Sequence, residues 1–282
     1  MFGFRLWGDF AVFREPLAIT QNITFMVPPK TTIGGMLAAI LGIDYNDYFN
    51  DKDFFDFKYS LVLDREIRKK SFAQNYIDDY TKKSAVKLDI IKKIKTDTKK
   101  LSAELKENYG KEIELLNKSN ITSTEKKELK KIRKRMKNLQ LVAQFTKPKP
   151  IFRELLIKPE YLIFIDNFKY EDKIIEYLKN HYSAYNLYLG NTEFPANFEN
   201  VVCTSKPDKI KYLDSFTGQQ ENVIFEVGKK YTNIYAATKT INSRKYIDYR
   251  NIIFSTNQIV LRKKINGYII TANNREYYCD FI

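Results

Sequence analysis

The chain has 282 residues, a formal charge of +14, a pI near 9.4, and 44% apolar content with 20 Phe and 20 Tyr. That composition excludes a disordered polyelectrolyte and is enough for a sizeable core. The basic balance favours an anionic partner, nucleic acid first and an anionic membrane surface second, although an AT-rich coding bias also enriches Lys, Asn, Ile and Tyr. No run is long enough to cross a bilayer, the first residues lack the pattern of a signal peptide, and cytoplasmic residence is expected. Cys203 and Cys279 lack metal-ligand spacing and fit a reducing compartment.

Met1 to Phe13 reads as a strand, with Phe2, Phe4 and Leu6 on one face. Trp7 falls on the other face, available to pack on a second layer or to stack on a base. From Asn22 to Ile43 the pattern is a strand (Ile23, Phe25, Val27), a stop at Pro28–Pro29, and a short helix. Thr31 or Thr32 is the expected N-cap, and Gly42 suits the left-handed residue that ends the helix. Lys30 is expected just before the helix, where free N–H groups and the dipole favour an anion. An ordinary solvated lysine is the bland alternative.

Tyr45 to Phe57 alternates Asp with Tyr and Phe and reads as a loop suited to a protein contact. Tyr59 to Asp64 reads as a buried strand. The stretch from Thr81 to Leu139 contains no proline and one glycine, Gly110. Ile91, Ile94, Thr98, Leu101 and Leu105 form one helical seam; Leu129, Ile132, Met136 and Leu139 form a second. Asn117 to Ile121 makes the turn, and Thr122 with Glu125 forms a capping box. This helical hairpin carries 19 Lys and Arg against 8 Asp and Glu. Such an excess is either a solvated face or a nucleic-acid contact.

Strands follow at Ile151 to Ile157 and Tyr161 to Asp166, a helix at Tyr170 to Asn180, and a strand at Tyr185 to Leu189. From Asn222 onward the pattern is almost all strand, with Ile265-Asn266-Gly267-Tyr268 as a hairpin signal. The expected fold class is α+β. Its core is a ferredoxin-like (RRM-like) βαββαβ unit, with a long helical-hairpin insertion and a small C-terminal β-sheet region. The division places that core at 1–80 and 146–204, the basic arm at 81–145 and the β-rich region at 205–282.

There is no Walker loop, Gly-x-Gly-x-x-Gly or Gly-x-Ser-x-Gly. No cofactor or metal is expected. His181 is the one histidine and so the one candidate general base or acid near neutrality, but its place at a helix end equally suits a complement to the dipole.

Two segments resemble the CRISPR-associated protein 5 family. The first holds an opening strand, Arg14-Glu15-Pro16, and Pro28-Pro29-Lys30 leading into a small-residue helix ending in Leu41-Gly42. The second is Tyr188-Leu189-Gly190-Asn191-Thr192-Glu193-Phe194-Pro195-Ala196. The resemblance implies a non-catalytic subunit of a type I CRISPR surveillance complex (Cascade), of subtype I-B. Such a subunit grips the 5′ handle of the crRNA and caps the backbone filament. Implied partners are crRNA, the backbone and large subunits, and target DNA near the PAM end, with no membrane. The residues expected to meet RNA are Arg14, Lys30 and Thr31, with Gln74, Asn75, Lys147, Lys149 and Arg153 around the base of the arm. The alternative is a metal-independent endoribonuclease that processes repeat RNA with His181; a third reading is an RNA-independent scaffold with a basic docking arm.

Overall fold

A computed structural model describes residues 1–18, 22–63, 65–76, 98–118, 121–146, 149–241 and 245–282, without the side chains of 74–76, 98–99, 143–146 and 149. The chain divides into two compact units, Met1–Phe72 with Arg153–Ile282, and Ala73–Phe152. The first is a mixed α and β unit built from antiparallel sheets.

Its opening strand breaks early. β1 (Phe2–Trp7) is followed by β2 (Phe10–Ala11), β3 (Phe13–Arg14) and β4 (Thr24–Phe25), in place of one long strand. Next come α1 (Lys30–Leu41), two helical turns, α2 (Tyr45–Tyr48) and α3 (Asp53–Asp56), then β5 (Lys58–Val62) and β6 (Arg68–Tyr76). The second part of this unit holds the end of β7 (Lys149–Ile157), then β8 (Glu160–Asp166). The central sheet has the order β5–β8–β1–β9, where β9 is Asn197–Val201, and every pairing is antiparallel.

Strand alternation divides its residues between two layers. Phe2, Phe4, Leu6, Ile163 and Ile165 face Ile33, Leu37 and Ile40 of α1 and Ile174 and Leu178 of the helix that follows β8. Val62, Leu162, Phe164 and Val201 face Ile270, Tyr277 and Cys279 of a second sheet. Gly3 is needed on that face because a Cβ would lie 2.9 Å from a Phe164 ring carbon.

The second sheet runs β10 (Cys203–Leu213), β14 (Ile259–Ala272) and β11 (Val223–Ile224), with β15 (Arg275–Cys279) also on β14. β12 (Thr232–Ile241) and β13 (Lys245–Phe254) form a separate hairpin. Its Ile234, Ala236, Ile252 and Phe254 join the main core beside α1.

Several expectations are corrected. Tyr185–Leu189 is not a strand; that segment hooks back on itself, and the sheet is completed by Asn197–Val201. Asn266–Gly267 is not a turn but lies within the 14-residue β14. Gly267 serves close packing there, since a Cβ would sit 2.3 Å from Ile210 Cδ1. The hairpin turn is Asn273–Asn274, with φ of 52° and 60°, the positive values a type I′ turn demands. The acidic aromatic stretch is mostly core. Tyr48, Phe54, Phe55 and Phe57 are buried, and Phe54 packs 5.8 Å from both Phe168 and Tyr170.

The other unit carries the hairpin of α4 (Thr98–Leu116) and α5 (Ser123–Thr146). Leu101, Leu139 and Val142 form its core, with Leu105 and Leu141 packed against them. Thr122 Oγ1 accepts from Glu125 N–H at 3.3 Å, and Glu125 accepts the Thr122 N–H at 2.9 Å, completing the capping box. Ile91 and Ile94 lie outside the described residues.

A candidate nucleic-acid groove

α1 forms because Ile33, Met36, Leu37, Ile40 and Leu41 recur at helical spacing and are all buried. Its N-cap is Pro29, and no side chain caps it. Thr31 and Thr32 are therefore not caps. The helix starts at Lys30, which puts both threonines inside the first turn, and the Thr31 carbonyl accepts from Tyr48 Oη at 3.1 Å. Gly42 ends the helix at φ 76°, as expected. Gly34 lets the helix meet the turn below it; a Cβ there would lie 2.3 Å from the Phe54 carbonyl.

The connection after α6 (Glu171–Lys179) is laced to α1. Ala184 N–H donates to Ile40 O at 3.2 Å and Tyr185 N–H to Ala39 O at 3.1 Å. The chain then reaches the opening strands, where Val12 N–H donates to Leu189 O at 3.0 Å. Leu189 N–H closes back on Phe194 O at 2.8 Å. Gly190 takes φ 90°, and a Cβ would come within 1.7 Å of the Val12 carbonyl oxygen, so only glycine fits.

These contacts bring the two sequence segments singled out above to one place. Between them runs an open groove of about 700 Å³, lined by Thr31 and Thr32 of α1, Gly190, and the rings of Tyr45, Tyr48, Tyr185 and Tyr246. Tyr45 and Tyr185 are about half exposed, and Tyr185 Oη donates to Asp44 at 3.1 Å. Exposed aromatic faces around a cleft suit unstacked bases.

Lys30 lies at the N-terminal end of the same helix. It is only 8% exposed, with its ammonium 5.1 Å from the centre of the Phe57 ring. Among the described residues it has no carboxylate partner within ion-pair distance. Burial lowers its pKa to about 8, helped by the charges of Arg250 and Lys239, and opposed by Asp56 and Asp248. Lys239 is paired to Asp56 at 2.7 Å, and Arg250 is only 3.9 Å from Asp248. Three cations and two carboxylates thus meet where a helix presents uncapped N–H groups, and one more negative charge would complete the balance.

A separate ledge holds Arg14 and Arg153. Arg14 is exposed on β3 and pairs with Thr24 of β4. Thr24 N–H donates to Glu154 at 3.0 Å, and Lys69 Nζ bridges Glu154 and the Thr24 carbonyl at 3.0 and 2.9 Å. Asn22 bridges Arg153 in parallel. The backbones of Arg14 and Arg153 are therefore fixed through shared partners. Lys147 lies outside the described residues, as do the side chains of Gln74, Asn75 and Lys149.

His181 follows α6 at φ 48°, exposed, with its ring 6.2 Å from Phe198. Among the described residues no Tyr or Lys side chain is hydrogen-bonded to it. Sequence reasoning missed Lys69, Glu154, Lys239 and Arg250. The last two lie more than 200 residues from Lys30 in the chain, and no local motif announces them.

Among the described residues no helix is long and apolar enough to cross a membrane. The chain is similar to a chain of a solved "CRISPR RNA-guided surveillance complex" at TM-score 0.45 and 11% identity, covering 94% of this chain and 90% of that one. It is also similar to a chain of a Type III-B Cmr-beta complex bound to cognate target RNA and AMPPnP, at TM-score 0.41 and 15% identity, covering 92% and 86%. A third likeness, at TM-score 0.30 and 11% identity, is to a functionally uncharacterized protein from Streptococcus mutans, covering 75% and 79%. No curated protein sequence matches. The family described as "CRISPR-associated protein (Cas_Cas5)" matches residues 2–253, nearly the whole chain, and the chain belongs to the CRISPR-associated protein 5 family.

Proposed function

We propose that this protein is the crRNA-binding subunit of a type I CRISPR surveillance complex, that it grips the 5′ handle of the crRNA, and that it caps the backbone filament beside the large subunit. Subtype I-B is the assignment we favour. The observation that carries this reading is the convergence of the two family segments on one groove with aromatic walls, next to a buried lysine that has no carboxylate within ion-pair distance among the described residues. Splayed bases would stack on the tyrosines and a phosphate would complete the charge around Lys30. Arg14 and Arg153 would steer the flanking backbone. We also read the β5–β8–β1–β9 sheet with α1 and α6 as a ferredoxin-like core, on the strength of its strand order and all-antiparallel pairing.

We favour a non-catalytic role. A metal-independent ribonuclease needs an acid and a base placed around one ribose, and what supports the binding reading is that His181 sits against Phe198 and, among the described residues, has no hydrogen-bonded Tyr or Lys side chain. The test is one binding series with labelled 5′-handle RNA and intact repeat RNA. Lys30→Met and Arg14→Ala should each weaken handle binding about tenfold, or about 1.4 kcal/mol, and the repeat should stay uncut. Unchanged affinity in both variants would sink the assignment. Discrete repeat cleavage that His181→Ala abolishes would replace it with the endoribonuclease reading.

A further inference from the structure

β10 and β14 form a ribbon whose charge the groove does not use. The two strands hold six cations, Lys206, Lys209, Lys211, Arg262, Lys263 and Lys264, against the single carboxylate of Asp208. All six cations are exposed. Among the described residues none forms an ion pair. The pairing is regular up to Ile210↔Ile265 and resumes at Tyr212↔Val260. Between those pairs β10 spends one residue, Lys211, while β14 spends four, from Leu261 to Lys264. Leu261 is held in the core and pairs with Val223, so the excess length is taken up by Arg262, Lys263 and Lys264. This bulge is clamped rather than loose. Asn222 Nδ2 donates to the Lys263 carbonyl at 2.9 Å, and Lys263 N–H donates to Asn222 Oδ1 at 2.8 Å.

Three adjacent cations on a fixed bulge, opposite a fourth, repel one another unless an anion lies across them. We propose that this ribbon is a second nucleic-acid surface, one that grips a phosphodiester backbone without reading its sequence. Lys209 and Lys211 share one face of β10 roughly 7 Å apart, about two phosphate spacings of one strand at 3.4 Å each along a duplex axis. What the basic stretch offers is a run of exposed charge, which suits phosphate. An acidic protein segment is the competing occupant, because the cross-strand row Tyr212, Val260 and Ile224 gives apolar footing next to the bulge. Charge that continues along β10 well beyond that row favours the nucleic acid. The inference does not depend on the handle-binding role of the α1 groove.

The test uses the full chain with two probes that lack the handle: a duplex DNA of scrambled sequence and a single-stranded uridine RNA, each titrated over a KCl series. The variant Arg262→Gln/Lys263→Gln/Lys264→Gln should weaken at least one probe tenfold or more near 100 mM salt. It should also flatten the slope of log K against log salt by roughly two to three. The probe that responds identifies duplex or single strand as the source of the backbone. Handle-RNA affinity should hold, whereas Lys30→Met should do the reverse, so failure of either proposal is distinguishable from failure of the other. Should the triple variant melt early, Lys209→Gln/Lys211→Gln, on one face of β10, carries the expectation with a slope change of roughly two. Unchanged affinity and slope for both probes would overturn the proposal. So would a variant that keeps both probes but loses a protein subunit from the assembled complex, which would mark the ribbon as a protein interface.

Discussion

Lys30 carries a charge where almost no water reaches it. An ammonium buried without a carboxylate costs free energy unless it sheds its proton. Its folded pKa of about 8 lies below the ordinary 10.5, so between those values the unfolded chain holds more of the proton than the folded one. Stability must therefore rise as pH climbs from about 8 towards 10.5, by on the order of 2–4 kcal/mol in all. Buried Tyr48, Tyr59 and Tyr161, whose hydroxyls burial holds neutral, work in the opposite sense once tyrosines of the unfolded chain ionise near 10. The thiols of Cys279 and Cys203, which burial also holds protonated, oppose the lysine in the same way once unfolded cysteines ionise near 9. Among the described residues Lys30 is thus the group whose shift raises stability in the window from about 8 to 9.5. The denaturation midpoint of the free protein is expected to rise across it, and Lys30→Met is expected to remove the rise while leaving the protein at least as stable at pH 7. A bound phosphate favours the protonated form, so handle-RNA affinity should fall over the same window. A midpoint that climbs equally in Lys30→Met would assign the effect to another group. The sequence put Lys30 near a helix start, but not its burial: that comes from Phe57 below and from the β12–β13 hairpin bringing Lys239 and Arg250 across, and neither leaves a local trace.

Among the elements, those whose reasons are local were legible. α1 declares itself through apolar spacing and Gly42. α5 declares itself through the Thr122–Glu125 box, which satisfies both the first-turn amide of the helix and the N–H of its own cap. That box yields a prediction: Thr122→Ala should cost the hairpin about 1 kcal/mol. Amide exchange is expected to quicken over the first turn of α5 while the central sheet stays protected. Uniform loss of protection through both units would show that the cap is not a local device. Elements whose reasons are distant were misread. Asn266–Gly267 carries a turn's residues, yet its glycine exists to admit Ile210. Pro207 is tolerated within β10 because β10 is an edge strand, where an N–H can face away from the ladder. Tyr185–Leu189 has a strand's alternation, but its amides and carbonyls go to α1, Val12 and Phe194 instead of a ladder.

At the scale of the whole molecule the issue is where the charge sits. Of the net +14, an excess of 11 falls between residues 81 and 139. On α5 the apolar seam of Leu129, Ile132, Met136 and Leu139 turns inward, so Lys126, Lys127, Lys130, Lys131, Lys134 and Lys137 are left exposed. Arg133 and Arg135 are different, since they are paired to Glu112 and Glu104. Surface pairs of that kind contribute little to stability, and they leave the lysine field undiminished as an attractor. If the field meets RNA, its contribution is released counterions, and those appear in the salt dependence more clearly than in affinity at any one salt. Replacing 81–139 with a short Gly/Ser linker is therefore expected to lower the slope of log K against log salt for handle RNA by two or more, with the groove around α1 still selecting the handle over a scrambled strand. The two quantities separate because the arm supplies charge and the groove supplies shape. A truncated protein with an unchanged slope would mean that the arm meets no phosphate, and its lysines would then be read as a docking face for an acidic protein, the scaffold role weighed at the outset.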